Sequence, residues 1–215
     1  MSGFSKNWQK KLDEGSGRGF GNLLRNPEPM KPQIDRANRE ISLLIARLVQ
    51  AEARIKTRDE TIFRKVVSSM QRGDRDHASM FANELSEVRK IGATVSGAKL
   101  ALEQVSMRLT TITDLGELAA TLAPTIAVVR GVGQGIGNVL PNAQGEINQI
   151  SSLLSTTLVE AGSVGGTSLN FDAANQDAER VLAEASAVAY QRMEEEFPQV
   201  PVAVRRDEEE EGLAI

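Results

Sequence analysis

Cysteine is absent and histidine occurs once, as His77. The first absence excludes disulfides and thiolate metal sites and fits a reducing cytoplasm. The second leaves a multi-histidine zinc or iron centre without ligands. Aromatic residues are 4 % of the 215, with one Trp and one Tyr, so a thick core built on ring area is not available. The apolar residues are Leu, Ile, Val and Ala instead, which suits helix-on-helix packing. Long hydrophobic runs are also missing. The most apolar stretch, residues 118–140, is interrupted by Pro124, Arg130, Gln134, Asn138 and several glycines, so no transmembrane span is expected. The first apolar run is too short for a secretory signal and no small-residue cleavage site follows it. A chain that meets membranes only from the cytoplasmic side is expected.

The motifs of chemistry are equally sparse. Two glycine clusters, GSGRGFG at 15–21 and GVGQGIG at 131–137, place their third glycine one position early for G-x-G-x-x-G. Neither follows a credible strand, and no G-K-[ST] occurs, so they read as joints rather than phosphate cradles. His77 lies among Arg75, Asp76 and Ser79 with no G-x-S-x-G elsewhere, and reads as a solvated turn residue. The carboxylate runs 194–196 and 208–211 are too contiguous to form a tuned acid/base pair. No catalytic residue, metal site or cofactor is expected, and an enzyme is disfavoured.

What is present is a strong helical period. Residues 33–71 contain neither proline nor glycine, and Ile34, Ile41, Leu48, Ile55 and Ile62 recur every seventh position. Ala37, Leu44, Ile45, Ala51 and Val66 complete that seam, the mark of a long helix packed lengthwise on another. Glu52 and Asp59 intrude on it, and Asp59 is placed to pair with Arg89 or Lys90. Gly73 offers a left-handed helix stop and Asp74 an N-cap. A second series then runs Phe81, Val88, Val95, Leu102 and Leu109, supported by Leu85, Val105 and Ile112. Two long helices joined by so short a turn are expected to lie antiparallel.

The expected fold class is therefore all-α: a long antiparallel helical hairpin followed by shorter mobile helices. By composition the chain divides into an amphipathic segment with a Gly/Pro linker (1–32), the hairpin (33–115), shorter helices with glycine hinges (116–171), a C-terminal regulatory helix (172–196), and a docking peptide with an acidic tail (197–215). Within 116–171, separate helices are expected over 118–129, 136–140 and 143–161, hinged at Gly131, Gly133, Gly135 and Gly137 and again at Gly162, Gly165 and Gly166.

Three surfaces invite partners. Residues 1–70 hold 14 Lys+Arg against 8 Asp+Glu, while the remainder holds 11 against 21. Such polarity suits a basic part that seeks an anionic surface and an acidic part that folds back on it; chance segregation is the plain alternative. Within the basic part, Arg36, Arg47, Arg54, Arg58 and Lys65 fall within about 40° on a helical wheel, a quarter-turn from the apolar seam. They suit an anionic leaflet, or a solvated face with i,i+4 pairs such as Arg36–Glu40. Nucleic acid is not expected, because aromatics for stacking and reading motifs are lacking. Phe4, Trp8 and Leu12, with Lys6, Lys10 and Lys11 between them, form a candidate shallow membrane anchor, or a segment that docks on the hairpin. Near the other end, Phe197, Pro198, Val200, Pro201 and Val202 make an apolar strip between acidic blocks, read either as a docking peptide or as a linker.

These pieces in this order resemble the ESCRT-III family, specifically its archaeal cell-division protein B (CdvB) group. The likeness is strongest from Ile34 to Lys90: K-x-R-D-x-x-I-F-R-K (56–65), G-D-R-D-H-A (73–78) and A-N-E-L-S-E-V-R-K (82–90). It continues more loosely to Leu158, including V-L-P-N at 139–142. The resemblance implies a hairpin that opens from a closed monomer into a polymerising form. It also implies membrane remodelling in cell division or vesicle scission, on the cytoplasmic face of the membrane at the division site. Implied partners are homo- and hetero-polymers with ESCRT-III-like paralogues, an anionic membrane surface, and a Vps4-like AAA ATPase. The MIT domain of that ATPase would grip a motif resembled by F-P-Q-V-P at 197–201, which has Phe for the usual aliphatic residue and no proline at 204. A cytosolic coiled-coil adaptor and an envelope scaffold of the PspA type remain as rival readings.

Overall fold

The computed structural model describes residues 30–112, 115–165 and 171–199. It holds five helices there: α1 (Met30–Gln71), α2 (Arg75–Thr110), α3 (Leu115–Ile136), α4 (Ala143–Gly165) and α5 (Phe171–Glu196). The 42 residues of α1 span roughly 63 Å at about 1.5 Å per residue. Pro32 sits in its first turn, where a backbone N–H has no intrahelical partner to lose. The helix stops as its sequence dictates. Gly73 adopts φ +72, its N–H donates to the Met70 carbonyl at 3.0 Å, and Asp74 N–H donates to the Ser69 carbonyl at 3.0 Å. That pair of bonds satisfies the last carbonyls of α1. The Asp74 side chain then accepts from His77 N–H at 3.2 Å and caps α2.

Both heptad series meet along the hairpin. Ile41, Leu44, Leu48 and Val66 of α1, and Leu85, Val95 and Leu102 of α2, are wholly enclosed. Truncating Leu48 or Leu102 to alanine should lower the unfolding free energy by about 3 kcal/mol through lost transfer energy and a residual cavity. The same change at Leu43, which is 59 % exposed, should stay within about 0.5 kcal/mol. Urea titrations followed by circular dichroism would read both.

The remaining helices cover only one half of the hairpin. Side-chain contacts give their directions: α4 runs antiparallel to α1, with Thr157 and Glu160 at Gln33 and Glu146 at Arg47. α5 runs antiparallel to α2, with Asp177 at Arg108 and Ser186 beside Gly97. The main core extends from Ile34 and Ala51 of α1 through α3 to α4, where Ile147, Ile150 and Leu154 are enclosed. A smaller core of Ile62, Val66, Ala78, Ala82, Leu85 and Val88 holds the distal half of the hairpin by itself.

One expectation needs correction. Residues 118–129 and 136–140 do not form separate helices; a single helix, α3, runs through Pro124, Gly131, Gly133 and Gly135. Packing overrides the low helix propensity. A Cβ on Gly131 would lie 2.5 Å from Leu182 Cδ1, and one on Gly133 would lie 2.8 Å from Ile147 Cγ2. These glycines permit close approach of α5 and α4 rather than bending. Likewise Gly162 and Gly165 lie within α4, while Gly166 is outside the described residues.

Candidate functional site

Five of the basic residues of α1 emerge on one edge, as the helical period requires, while Lys31, Arg39, Lys56 and Arg64 lie on other faces. Arg36, Arg47, Arg54, Arg58 and Lys65 are all exposed. Their surroundings differ along the ridge. Arg47 makes an ion pair with Glu146 at the start of α4, so the proximal end is flanked by that helix. Arg54 and Arg58 lie past the end of α4 but level with the end of α5, whose Glu196 pairs with Lys56, and only Lys65 lies on the half of the hairpin held by the smaller core alone. Arg58 pairs with Glu84 across the hairpin at 2.9 Å, with both side chains well exposed, a contact of little energy. Lys65 sits 5.2 Å over the Phe81 ring. Among the described residues Arg36 and Arg54 have no ion-pair partner, so the Arg36–Glu40 pair that a merely solvated face would favour is not formed. The residues of the candidate anchor, Phe4, Lys6, Trp8, Lys10, Lys11 and Leu12, lie outside the described residues.

At the junction between the two halves, Asp59 is fully buried. Arg89 reaches it from α2, its Nε donating to Asp59 Oδ1 at 2.6 Å and its Nη2 to Oδ2 at 3.3 Å. Lys90 turns away and pairs with Glu87 at 2.7 Å. The same guanidinium donates to the Pro198 carbonyl at 2.8 Å and lies 5.4 Å from the Phe197 ring centre. One arginine thus holds both the hairpin's buried acid and the first residues of the C-terminal strip. Phe197 is half-buried beside a cavity of about 240 Å³ lined by Ile55, Gly92, Lys99 and Met193. Val200, Pro201 and Val202 lie outside the described residues. The Arg89–Pro198 contact had no sequence signal, because it joins positions 109 residues apart.

Further along α2, Glu52 of the seam is matched by Lys99 at 2.6 Å. Arg108 clamps the start of α5 by donating to Asp177 at 2.6 Å. That hydrogen bond, opposed by partial burial and joined by Arg180, holds the Asp177 carboxyl below its ordinary range. A carboxyl whose folded pKa is depressed adds stability that is complete above the unfolded value and is lost as pH falls through the folded one. The grip of α5 on α2 should therefore weaken only below about pH 4. Asp177→Asn should remove that part of the acid sensitivity, read as proteolytic nicking near the α4–α5 connection across a pH series.

His77 bonds Asp74 through Nδ1 at 2.9 Å at the hairpin turn, exposed to solvent. Among the described residues no cluster of His, Asp and Glu could hold a metal ion, and no helix is long and apolar enough to cross a membrane. A long two-helix hairpin partly covered by three shorter helices, with no strand among the described residues, is the all-α architecture of an ESCRT-III-like protein.

The chain is 35 % identical over 181 residues to Cell division protein B1 of Sulfolobus acidocaldarius, a match covering 84 % of this chain and 85 % of that one. It is 27 % identical over 183 residues to Cell division protein B of the same organism, covering 83 % of this chain and 70 % of the relative. The chain belongs to the cell-division protein B group of the ESCRT-III family. No family model matches it, and no solved structure matches it.

Proposed function

We propose that this chain is a non-enzymatic, polymer-forming subunit that remodels membranes in archaeal-type cell division or vesicle scission. The names of the two relatives reported above support the division role. The observation that carries the membrane reading is the edge of α1 past the end of α4, which Arg54, Arg58 and Lys65 share and where all three are exposed. Each basic side chain near an anionic leaflet contributes about 1 kcal/mol, so a row of them gives reversible peripheral attachment. Arg36 and Arg47 extend the row once α4 moves from Arg47, and Phe4, Trp8 and Leu12 with Lys6, Lys10 and Lys11 add a shallow anchor. The protein then works on the inner face of the cell membrane at the division site, as homo- and hetero-polymers with its paralogues.

Recycling falls to a Vps4-like AAA ATPase whose MIT domain takes Phe197, Pro198, Val200, Pro201 and Val202. The strip's first residues rest on Arg89 in the closed form, so docking requires their release. Negative-stain electron microscopy and co-sedimentation with phosphatidylserine vesicles test the reading. Full-length protein should bind reversibly, and a chain ending at residue 170 should bind more and form filaments. A monomer indifferent to vesicles in both forms sinks it. If charge reversal along the ridge left both binding and division intact, a coiled-coil adaptor with a protein partner would be the better reading.

A further inference from the structure

On the covered half of the bundle, away from the basic ridge, α3, α4 and α5 leave between them an open groove of about 540 Å³. Its floor and walls include Ile126, Ala127, Leu158, Val159 and Leu182. Val159 is 71 % exposed, the largest exposure among the described large apolar side chains, so this wall lacks a cover of its own. An apolar groove of this size has the volume of an ordinary binding site. Its open rim carries Glu179, which has no ion-pair partner among the described residues.

The position at which α1 begins names an occupant. Gln33 accepts a hydrogen bond from Thr157 at 2.8 Å and donates to Glu160 at 2.8 Å. Those residues bracket Leu158 and Val159, so the first turn of α1 lies one helix-width from the groove. Twenty-nine residues precede Met30, and their linker alone, 13–29, spans up to roughly 55 Å when extended. Ahead of that linker stand Phe4, Trp8 and Leu12 at four-residue spacing among three lysines. A helix with that pattern offers apolar anchors for a groove and, in Lys11 at their edge, a cation for Glu179.

We propose that the groove between α3, α4 and α5 receives the chain's own N-terminal segment, seating Phe4, Trp8 and Leu12 against Val159, Leu158 and Leu182. Lys11, at the edge of that apolar face, then lies nearest Glu179, while Lys6 and Lys10 point away from the groove, which Arg130 also lines. The same three apolar side chains cannot occupy the groove and a lipid layer together. The closed monomer therefore withholds its anchor, and any movement of α5 that opens the groove delivers it.

Trp8 is the single tryptophan, so its emission reports this contact directly, without lipid. In dilute lipid-free protein the wild type should show blue-shifted emission protected from acrylamide. Val159→Glu, on an exposed position that leaves the core untouched, should red-shift the emission and raise the quenching constant several-fold. Glu179→Lys should do so to a smaller extent, and circular dichroism should show unchanged helicity in both. Solvent-like Trp8 emission in the wild type overturns the proposal. So does emission indifferent to both substitutions, or protection that grows with protein concentration, which would put the segment in a second copy. Because no membrane is present, any of these failures leaves the proposed lipid attachment standing.

Discussion

Replacing Arg54, Arg58 and Lys65 together by glutamate should reduce affinity for phosphatidylserine vesicles by about 100-fold or more. At about 1 kcal/mol for each basic residue near the leaflet, removing three attractions costs about 3 kcal/mol, and about 1.4 kcal/mol is a factor of ten. The introduced carboxylates repel the surface and push the loss further. All three positions are exposed, so the helix content should not change. The Arg58–Glu84 pair lost with them is too solvated to matter for folding. A control carrying Lys90→Glu, Arg130→Glu and Arg192→Glu has the same net charge and alters exposed positions off the ridge. It should retain most of the binding. Salt is the second check: raising ionic strength from about 0.1 M to about 1 M shortens the screening length from about 10 Å to about 3 Å, and the wild type should detach. Equal loss in the ridge variant and the control would mean that net charge, not the ridge, sets attachment.

Arg89→Leu should lower the unfolding free energy by about 3 kcal/mol, because it leaves the enclosed Asp59 carboxylate without its counter-ion. Arg89 keeps 21 % of its side chain exposed, which places the cost at the lower end of the range for broken buried pairs. Adding Asp59→Leu should recover most of the loss, since two apolar groups leave nothing charged behind. Denaturant titration of the four-member cycle gives the coupling energy. The variant has a second consequence. The guanidinium also holds the Pro198 carbonyl and covers the Phe197 ring, so both Arg89→Leu proteins should expose the C-terminal strip. Faster proteolysis after residue 197 and tighter capture by an isolated MIT domain would register the release. Asp59→Asn separates the two effects, because it removes the buried charge and leaves Arg89 in place for the strip. Strip release in Asp59→Asn equal to that in Arg89→Leu would show that the clamp acts through hairpin stability alone.

The hairpin was legible because its signals are local and repetitive. Ile34, Ile41, Leu48, Ile55 and Ile62 repeat at the period of a packed helix, and all but the half-buried Ile55 are buried. Gly73 and Asp74 stop and restart the helix through bonds within six residues. Even the acid in the seam pointed to its partner, since antiparallel pairing across a tight turn puts Asp59 level with the region of Arg89. Gly131 and Gly133 misled for the opposite reason, although Gly137 does fall in the turn that follows α3. Helix propensity argues for a joint at both, but the demand for small residues comes from Leu182 and Ile147, which approach from other helices.

The candidate site divides along the same line. Periodicity alone put five basic residues on one edge, and their exposure follows from lying off the seam. That α4 flanks Arg47 but stops short of Arg54, that Arg89 grips the C-terminal strip, and that α3, α4 and α5 leave a groove open beside the start of α1 are matters of which helix lies against which. Neighbours within a turn or two of helix are enough to set the length of the two long helices, their antiparallel return and the faces they present. Which of those faces end up covered is settled by packing at long range. Contacts such as Arg89–Pro198 and Arg108–Asp177 join residues 109 and 69 positions apart, and no local period encodes a meeting at that separation.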